Sequence, residues 1–282
     1  MIAPALTPEF CERGYNIRAA VPDHSEYFRR WADESASVRA SVRCELDIRY
    51  GRRPKETLDL FPGGGRGLLV FIHGGYWRSF DKSDYSYIAP PFVGAGFDVA
   101  VINYDLCPDV DIGTIAGECR NALAWLANHG AAHGVAADNV VVSGHSAGGH
   151  LAAMLHATDW SADGIDPAVL KGSVSISGVF DLEPLLHTAM NSDLRLNVDN
   201  AAAWSPARMQ PAADAPLLIA VGAIETSEFL RQSQLQWEAW PQARPAGSAG
   251  PMLLADCHHF SAVDCLADPA HPLHRETLRL FS

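Results

Sequence analysis

The sequence predicts an α/β protein with a mostly parallel central sheet, helices on both faces and a small helical cap. Short apolar runs alternate with segments of helical periodicity, which is typical of parallel sheets covered on both sides. No repeat, low-complexity tract or linker divides the chain, so we expect one domain over residues 1–282. Residues 1–40 would form an N-terminal arm, and the long irregular stretch 179–215 would form the cap.

Two short strands are expected before the parallel part of the sheet. Residues 41–50 alternate between apolar and polar side chains, which predicts a half-exposed strand, and residues 57–61 predict a second strand after a turn. Such a pair suits an antiparallel edge. Apolar runs then predict the buried strands, which lie at residues 67–72, 97–104, 139–143, 172–178, 216–222 and 252–257.

Helical periodicity separates most of these strands. In residues 110–129, apolar side chains from Ile112 to Leu126 recur at spacings of three and four. Further helices are predicted at residues 22–40, 151–157 and 227–240. We expect the arm to pack on the domain rather than to act as a flap over a site.

The composition argues against several classes of protein. Hydrophobic residues make up 48% and charged residues 19%, so a large core is expected rather than disorder. The formal net charge of −12 argues against binding to nucleic acid or to an anionic membrane. No apolar run of about 18 residues and no signal-peptide pattern is visible, so we expect a cytoplasmic protein. Its six scattered cysteines are then expected to be reduced thiols.

Residues 140–150, VVVSGHSAGGH, place a serine between a buried strand and an alanine-rich helix. The segment from Gly144 to Gly148 is a G-x-S-x-G motif, which in a strand–turn–helix setting is the nucleophile elbow of α/β-hydrolases. The glycines allow strand and helix to approach closely, and the turn would lift the Ser146 hydroxyl into the open at the helix N-terminus. The sequence therefore predicts an α/β-hydrolase fold with Ser146 as the nucleophile.

A serine nucleophile needs a general base and a carboxylate, which in this fold follow it in the order acid, then histidine. The acid should follow the strand at residues 216–222, where Glu225 lies in the loop and Glu228 lies in the first turn of a helix. The helix dipole alone explains a carboxylate in a first turn, so Glu225 is the preferred acid. His258 and His259 both follow the last strand, and their position leaves the choice of base open.

The loop after the first buried strand is a candidate oxyanion hole. Residues 73–77 read HGGYW, and H-G-G loops at this position supply backbone N–H groups to a tetrahedral oxyanion. We expect the N–H groups of Gly75, Tyr76 and Ala147 to converge there. His73 would hold the loop by hydrogen bonding.

Three side chains near these motifs are predicted to line a substrate pocket: Tyr76, Trp77 and His145. The aromatic pair follows the oxyanion loop, so at least one ring should lie near the reacting carbonyl. No metal is expected, because His150 and His156 on the elbow helix belong to no H-E-x-x-H motif. Phosphate-binding and dinucleotide motifs are also missing, which indicates no cofactor.

With these motifs in hand, the chain resembles the kynurenine formamidase (arylformamidase) group, which is similar to the hormone-sensitive-lipase-like esterases. The matching segments are HGGYW at residues 73–77, GHSAGGH at 144–150, ETSEFLRQS at 225–233 and the pair His259-Phe260. The resemblance implies that Ser146 is the nucleophile, His259 the base and Glu225 the acid. The acid of the group is more often Asp.

The expected function is that of a serine hydrolase which cleaves a small aryl formamide, such as N-formyl-kynurenine, or a related ester through an acyl-enzyme. The alternative is a general carboxylesterase for short acyl or aryl esters, and a third hypothesis is a non-catalytic ligand-binding member of the fold. The expected partner is a small-molecule substrate, with no nucleic acid and no membrane. The sequence leaves open whether the protein forms a homodimer.

Overall fold

One mixed sheet lies at the centre of the computed structural model, which describes residues 6–282. Its strands are β1 (Glu45–Arg49), β2 (Thr57–Phe61), β3 (Leu68–Ile72), β4 (Asp98–Ile102), β5 (Val140–His145), β6 (Leu170–Ile176), β7 (Leu217–Gly222) and β8 (Met252–Leu254). They pair in the order β1-β2-β4-β3-β5-β6-β7-β8. β2 runs antiparallel to β1 and β4, and the remaining pairings are parallel. The predicted α/β-hydrolase fold is confirmed.

Helices precede the sheet and connect most of its strands. The α-helices are α1 (Pro8–Tyr15), α2 (Ile17–Ala20), α3 (His24–Ser41), α4 (Ala89–Gly94), α5 (Ile112–His129), α6 (Ala147–His156), α7 (Asn191–Leu194), α8 (Val198–Ala203), α9 (Ser227–Ala239), α10 (Asp264–Ala267) and α11 (Pro272–Arg279). The first three belong to the predicted N-terminal arm, of which residues 1–5 lie outside the described residues.

The central strands are buried over their full length. Every residue of β3, β4 and β5 is buried, as expected for parallel strands covered on both faces. β3 pairs with β4 on one side and with β5 on the other, and both pairings are parallel. The carboxyl ends of the three strands therefore lie at one edge of the sheet, where α/β proteins bind their ligands.

The first strand starts later than the sequence pattern predicts. α3 continues to Ser41, and the Val42 N–H still donates to the Val38 carbonyl oxygen, so β1 begins only at Glu45. Val42 and Cys44 are apolar because they pack against the core from outside the sheet. The alternation of residues 41–50 thus reflects two successive structures rather than one strand.

Short helices occupy the stretch 179–215. A 3₁₀ turn at Glu183–His187 is followed by α7, α8 and a second 3₁₀ turn at Pro206–Arg208. Leu182 and Leu185 are fully buried and belong to the main core. The insert is therefore packed onto the domain through its own apolar residues.

All six cysteines are free thiols. Two of them, Cys257 and Cys265, lie close together, with 3.4 Å between their Sγ atoms. Within the described part of the chain, the helices are too short or too polar to span a bilayer.

Candidate active site

Ser146 lies at the turn between β5 and α6. Its backbone has φ 57° and ψ −117°, a conformation that L-residues rarely adopt. A Cβ atom on Gly144 would lie 2.1 Å from the Gly148 carbonyl oxygen, and one on Gly148 would lie 2.0 Å from the Ile72 carbonyl oxygen. Glycine is therefore required on both sides of the serine. The Ser146 N–H donates to the Ile176 carbonyl oxygen at 2.8 Å, which holds the strained turn in place.

Glu225 and His259 are brought together although 34 positions separate them in the chain. The His259 Nδ1 atom donates to Glu225 Oε2 at 2.7 Å, and both side chains are buried. The second carboxylate oxygen accepts from the Gly222 N–H at 2.9 Å and from the Ser177 hydroxyl. These contacts fix the carboxylate and, through it, the orientation and tautomer of the imidazole.

The other imidazole nitrogen, His259 Nε2, is buried and has no hydrogen-bond partner within residues 6–282. It belongs to a side chain that lines the same cavity as Ser146. A buried nitrogen without a partner in a cavity is available to a reacting group, and a native protein seldom leaves one without a reason.

Glu228 and His258, the alternative candidates, make other contacts. Glu228 accepts from the Tyr15 hydroxyl at 3.0 Å and from the Arg231 guanidinium at 2.9 Å. The His258 Nε2 atom lies 3.1 Å from the Tyr27 hydroxyl. Neither alternative residue takes part in the Glu225–His259 contact.

The loop after β3 runs through a series of left-handed backbone conformations. φ is 107° at Gly75, 49° at Tyr76 and 55° at Trp77. The N–H groups of Gly75, Tyr76 and Ala147 donate to no backbone carbonyl oxygen in the turns and loops of residues 6–282. Free backbone donors beside a nucleophile elbow are what an oxyanion hole requires.

His73 is fully buried beneath this loop. Its Nδ1 atom donates to the Gly74 carbonyl oxygen at 2.8 Å, and its ring stacks on Tyr104 with 4.2 Å between centroids. The Nε2 atom lies 3.1 Å from the Asn103 side-chain oxygen. Burial lowers the pKa of His73 to about 4, so the ring is neutral near pH 7 and holds the loop through the one hydrogen bond that Nδ1 donates.

A cavity of about 190 Å³ opens beside Ser146 and His259. Its walls come from the arm, the oxyanion loop, the elbow, the helical insert and the segment after β8. The lining residues include Glu12, Tyr15, Arg18, Phe28, Trp31, Tyr76, Arg78, Phe80, His145, Met190 and Phe260. Most of these side chains are aromatic or apolar, which suits a small organic substrate.

Tyr76 and His145 line the cavity, whereas Trp77 does not. The prediction that Trp77 lines the pocket is wrong. Its side chain is fully buried and packs edge-on against His150, with 4.9 Å between ring centroids. Successive left-handed residues in the loop send the two aromatic rings in different directions.

His145, inside the elbow motif, supports His259. The His145 Nε2 atom donates to the His259 backbone carbonyl oxygen at 2.9 Å, and the two rings lie 4.8 Å apart. Burial, followed by the nearby His259 charge, lowers the pKa of His145 well below its ordinary value. His145 is therefore a neutral residue that positions the segment carrying His259.

The sequence patterns missed the contribution of the arm to this cavity. Tyr15, Phe28 and Trp31 line it, and the Tyr76 hydroxyl donates to the Tyr15 carbonyl oxygen at 2.7 Å. The aromatic residues of the arm were visible in the sequence, but nothing local indicated which partner they would meet. The described part of the arm packs on the domain, and it is also a wall of the cavity.

No group of three or more His, Cys, Asp or Glu residues in the range 6–282 could hold a metal ion. The buried histidines of α6 instead bond to protein atoms. His150 Nε2 donates to the Trp204 carbonyl oxygen at 2.7 Å, and His156 Nδ1 lies 3.0 Å from the Ser173 hydroxyl.

The eight-stranded topology and the elbow after β5 define an α/β-hydrolase. A family model described as BD-FAE matches residues 62–239. The chain belongs to this BD-FAE family.

Relatives of known name narrow the class further. The chain is 28% identical to a kynurenine formamidase of Danio rerio over 253 residues, which cover 86% of this chain and 84% of the relative. A kynurenine formamidase of Salmo salar is also 28% identical, over 256 residues. The resemblance predicted from the motifs is confirmed. The protein is a hydrolase of the α/β family with formamidase or esterase activity.

Solved structures agree on the architecture. A protein described as a putative thioesterase from Silicibacter sp. TM1040 is 35% identical, with a TM-score of 0.83 over 93% of this chain and 96% of that chain. Esterase B from Lactobacillus rhamnosis has a TM-score of 0.66 at 20% identity and covers 94% of each chain. At 20% identity, the similarity to esterase B supports only the assignment of the fold.

Proposed function

We propose that the protein is a serine hydrolase that cleaves a small aryl formamide of the N-formyl-kynurenine type. The observation that carries this proposal is the hydrogen bond to Glu225 from His259, which lines the same cavity as Ser146. The similarity to kynurenine formamidases over most of the chain supports the choice of substrate class. The aromatic walls of the cavity are compatible with a flat aryl group.

In the proposed reaction, Ser146 Oγ attacks the formyl carbon and transfers its proton to His259 Nε2. Glu225 accepts the hydrogen bond from Nδ1, which keeps the proton on that nitrogen and stabilises the imidazolium. The N–H groups of Gly75, Tyr76 and Ala147 would stabilise the tetrahedral oxyanion. His259 then gives its proton to the departing arylamine.

Water completes the cycle on the formyl-enzyme. His259 takes a proton from the water as it attacks the acyl carbon, and Ser146 regains its proton as formate leaves. The residues needed for both halves are those already described, so no cofactor enters any step.

The second candidate function is that of a general carboxylesterase for short acyl or aryl esters. It is favoured by a partial similarity to esterase LipQ of Mycobacterium tuberculosis, 31% identical over 48% of this chain and 35% of the relative, and by the solved relative described as a putative thioesterase. The same residues would act on an ester or thioester carbonyl. The two candidates differ only in the substrate that the cavity prefers.

The test compares kcat/KM for N-formyl-kynurenine, p-nitrophenyl acetate and a short acyl thioester. We expect the formamide to give the highest value, whereas a higher value for the ester or thioester would favour the second candidate. Ser146→Ala should lower kcat about 10⁴- to 10⁶-fold without unfolding the protein.

A pre-steady-state burst with an activated ester separates an enzyme from a ligand-binding member of the fold. The wild type should release one equivalent of alcohol per active site, and Ser146→Ala should release none. A wild type without turnover or burst on any of these substrates would overturn the serine hydrolase.

A further inference from the structure

Arg18, in the arm helix α2, lies in the wall of the cavity that contains Ser146 and His259. Its guanidinium carbon lies 5.6 Å from the centroid of the Phe28 ring, which also lines the cavity. A guanidinium held over an aromatic face keeps its N–H donors free, because the ring contact uses the flat face of the group. Within residues 6–282, Arg18 is thus positioned by the ring contact and not by a side-chain hydrogen bond.

The other charged groups of the cavity wall already have partners. Arg78 forms an ion pair with Asp193, and Glu12 accepts from the Ala189 N–H at 3.1 Å. Arg18 makes no ion pair with any carboxylate in residues 6–282. Arg18 is exposed, so its guanidinium is open to an anionic group of a molecule bound in the cavity.

The aromatic wall connects Arg18 to the reacting centre. Phe28 contacts Phe80 at 4.8 Å and Phe260 at 5.1 Å between ring centroids, and Phe260 is the neighbour of His259 in the chain. An aryl group lying against these rings would point a substituent towards the guanidinium. Arginine binds carboxylates through paired, charge-assisted hydrogen bonds.

We propose that Arg18 is a specificity-determining residue that binds a carboxylate on the leaving group of the substrate. The favoured substrate class is then an aryl formamide or aryl ester whose amine or alcohol part is anionic. The inference rests on the proposed hydrolase function and names which members of the substrate class are preferred. Arg18 takes no part in bond making, so its effect is on binding and orientation.

The test uses pairs of substrates that differ only in the charge of the leaving group. The first pair is N-formyl-kynurenine and its α-carboxamide, which share the same scissile bond. The second pair is 4-carboxyphenyl acetate and 4-carbamoylphenyl acetate. In each pair, the quantity measured is the ratio of kcat/KM for the carboxylate to kcat/KM for the carboxamide.

Arg18→Gln should lower this ratio about 10- to 100-fold, mainly through KM, as expected for loss of a hydrogen bond to a charged group. Arg18→Lys should retain part of the preference, because it keeps the charge but loses the paired geometry. Arg13→Gln is the matched control, since Arg13 is an exposed arginine of α1 outside the cavity wall, and it should keep the wild-type ratio. The preference of the wild type should also weaken at high salt, whereas that of Arg18→Gln should not.

A wild-type ratio near one in both pairs, or an equal ratio in wild type and Arg18→Gln, would overturn the role of Arg18. The ester pair keeps this result separate from the proposed function. If neither formamide is cleaved but the ester ratio still depends on Arg18, the formamidase proposal fails and the carboxylate site stands.

Discussion

The two acidic residues after β7 have separate structural roles. Glu225 lies in the loop and contacts His259, whereas Glu228 lies in α9 and contacts Tyr15 and Arg231. Helix position alone suggests that Glu228 stabilises the helix dipole, and the structure adds a partly buried ion pair with Arg231. One carboxylate contacts the proposed general base and the other contacts the arm through Tyr15.

Glu225→Gln should lower kcat about 10³- to 10⁴-fold with little change in the melting temperature, because the imidazole loses its charged partner and its fixed tautomer. Glu228→Gln should keep kcat within a few-fold and lower the free energy of unfolding by about 1–3 kcal/mol, since Arg231 loses its charged partner. Measuring kcat and urea unfolding on both variants checks the assignment. Inactivity of Glu228→Gln with an active Glu225→Gln would reverse it.

The two aromatic residues of the oxyanion loop should also differ. Tyr76→Ala should lower the ratio of aryl to alkyl ester hydrolysis about 2- to 10-fold, because Tyr76 is the ring that lines the cavity. Trp77→Phe should leave that ratio unchanged and lower the melting temperature, because Trp77 fills a buried space against His150. A changed ratio in Trp77→Phe would show that this side chain does reach the substrate.

Some residues of the candidate site could be predicted from the sequence, because a local motif or their order along the chain identifies them. Ser146 follows from its glycines, and the choice of Glu225 and His259 follows from their place after two successive strands, with the family resemblance deciding between His258 and His259. The direction of Trp77 could not be predicted, since it depends on consecutive positive φ angles at positions 75–77. Arg18 likewise lacks any local motif.

At the level of elements, the arm is the part most closely integrated with the site. The Tyr15 hydroxyl donates to Glu228 at 3.0 Å and accepts from the Gln232 amide at 2.6 Å. The Thr226 hydroxyl donates to the Gly14 carbonyl oxygen at 2.7 Å. The end of α1 is therefore hydrogen-bonded to the start of α9. This part of α9 directly follows the loop that carries Glu225.

Tyr15→Phe should lower the free energy of unfolding by about 1–3 kcal/mol, because Glu228 and Gln232 would each lose a buried partner. Amide hydrogen exchange in residues 8–20 should become faster. Tyr27→Phe is the matched control, since its hydroxyl contacts the partly exposed His258 and water can replace it. An equal loss in both variants would mean that the Tyr15 network adds no specific stability.

Most strands and long helices could be predicted because their signals are local. The buried strands are short runs of apolar residues, and α5 and α9 show helical periodicity. The break between α3 and β1 escaped prediction because residues 41–44 continue the apolar alternation while the chain changes direction. α1 and α2 are too short to show a reliable period, and their tertiary contacts decide their position.

For the whole molecule, buried neutral histidines contribute to the loss of stability in acid. Burial lowers the pKa of His73, His150 and His156 to about 4, against an ordinary value of 6.5. In the unfolded chain, these three histidines would become protonated as the pH falls below 6.5. In the folded chain, they remain neutral until about pH 4. The free energy of unfolding should therefore fall as the pH drops through this window.

Each such histidine should contribute up to about 1.4 kcal/mol per pH unit to this loss. His156→Gln should make the curve of unfolding free energy against pH less steep between pH 6.5 and 4. His187→Gln, at an exposed position, is the control and should leave the slope unchanged. Urea unfolding at a series of pH values measures both slopes, and equal slopes in wild type and His156→Gln would contradict the prediction.

The BD-FAE match covers residues 62–239, so it includes the elbow but excludes both the arm and His259. The arm supplies Tyr15, Arg18 and Phe28 to the cavity wall from a segment ahead of the shared core. Substitutions at these three positions would therefore change the cavity wall without altering any residue that the family model covers. Directed evolution of substrate range should begin with the arm, because its residues are far in the sequence from those of the proposed catalytic triad.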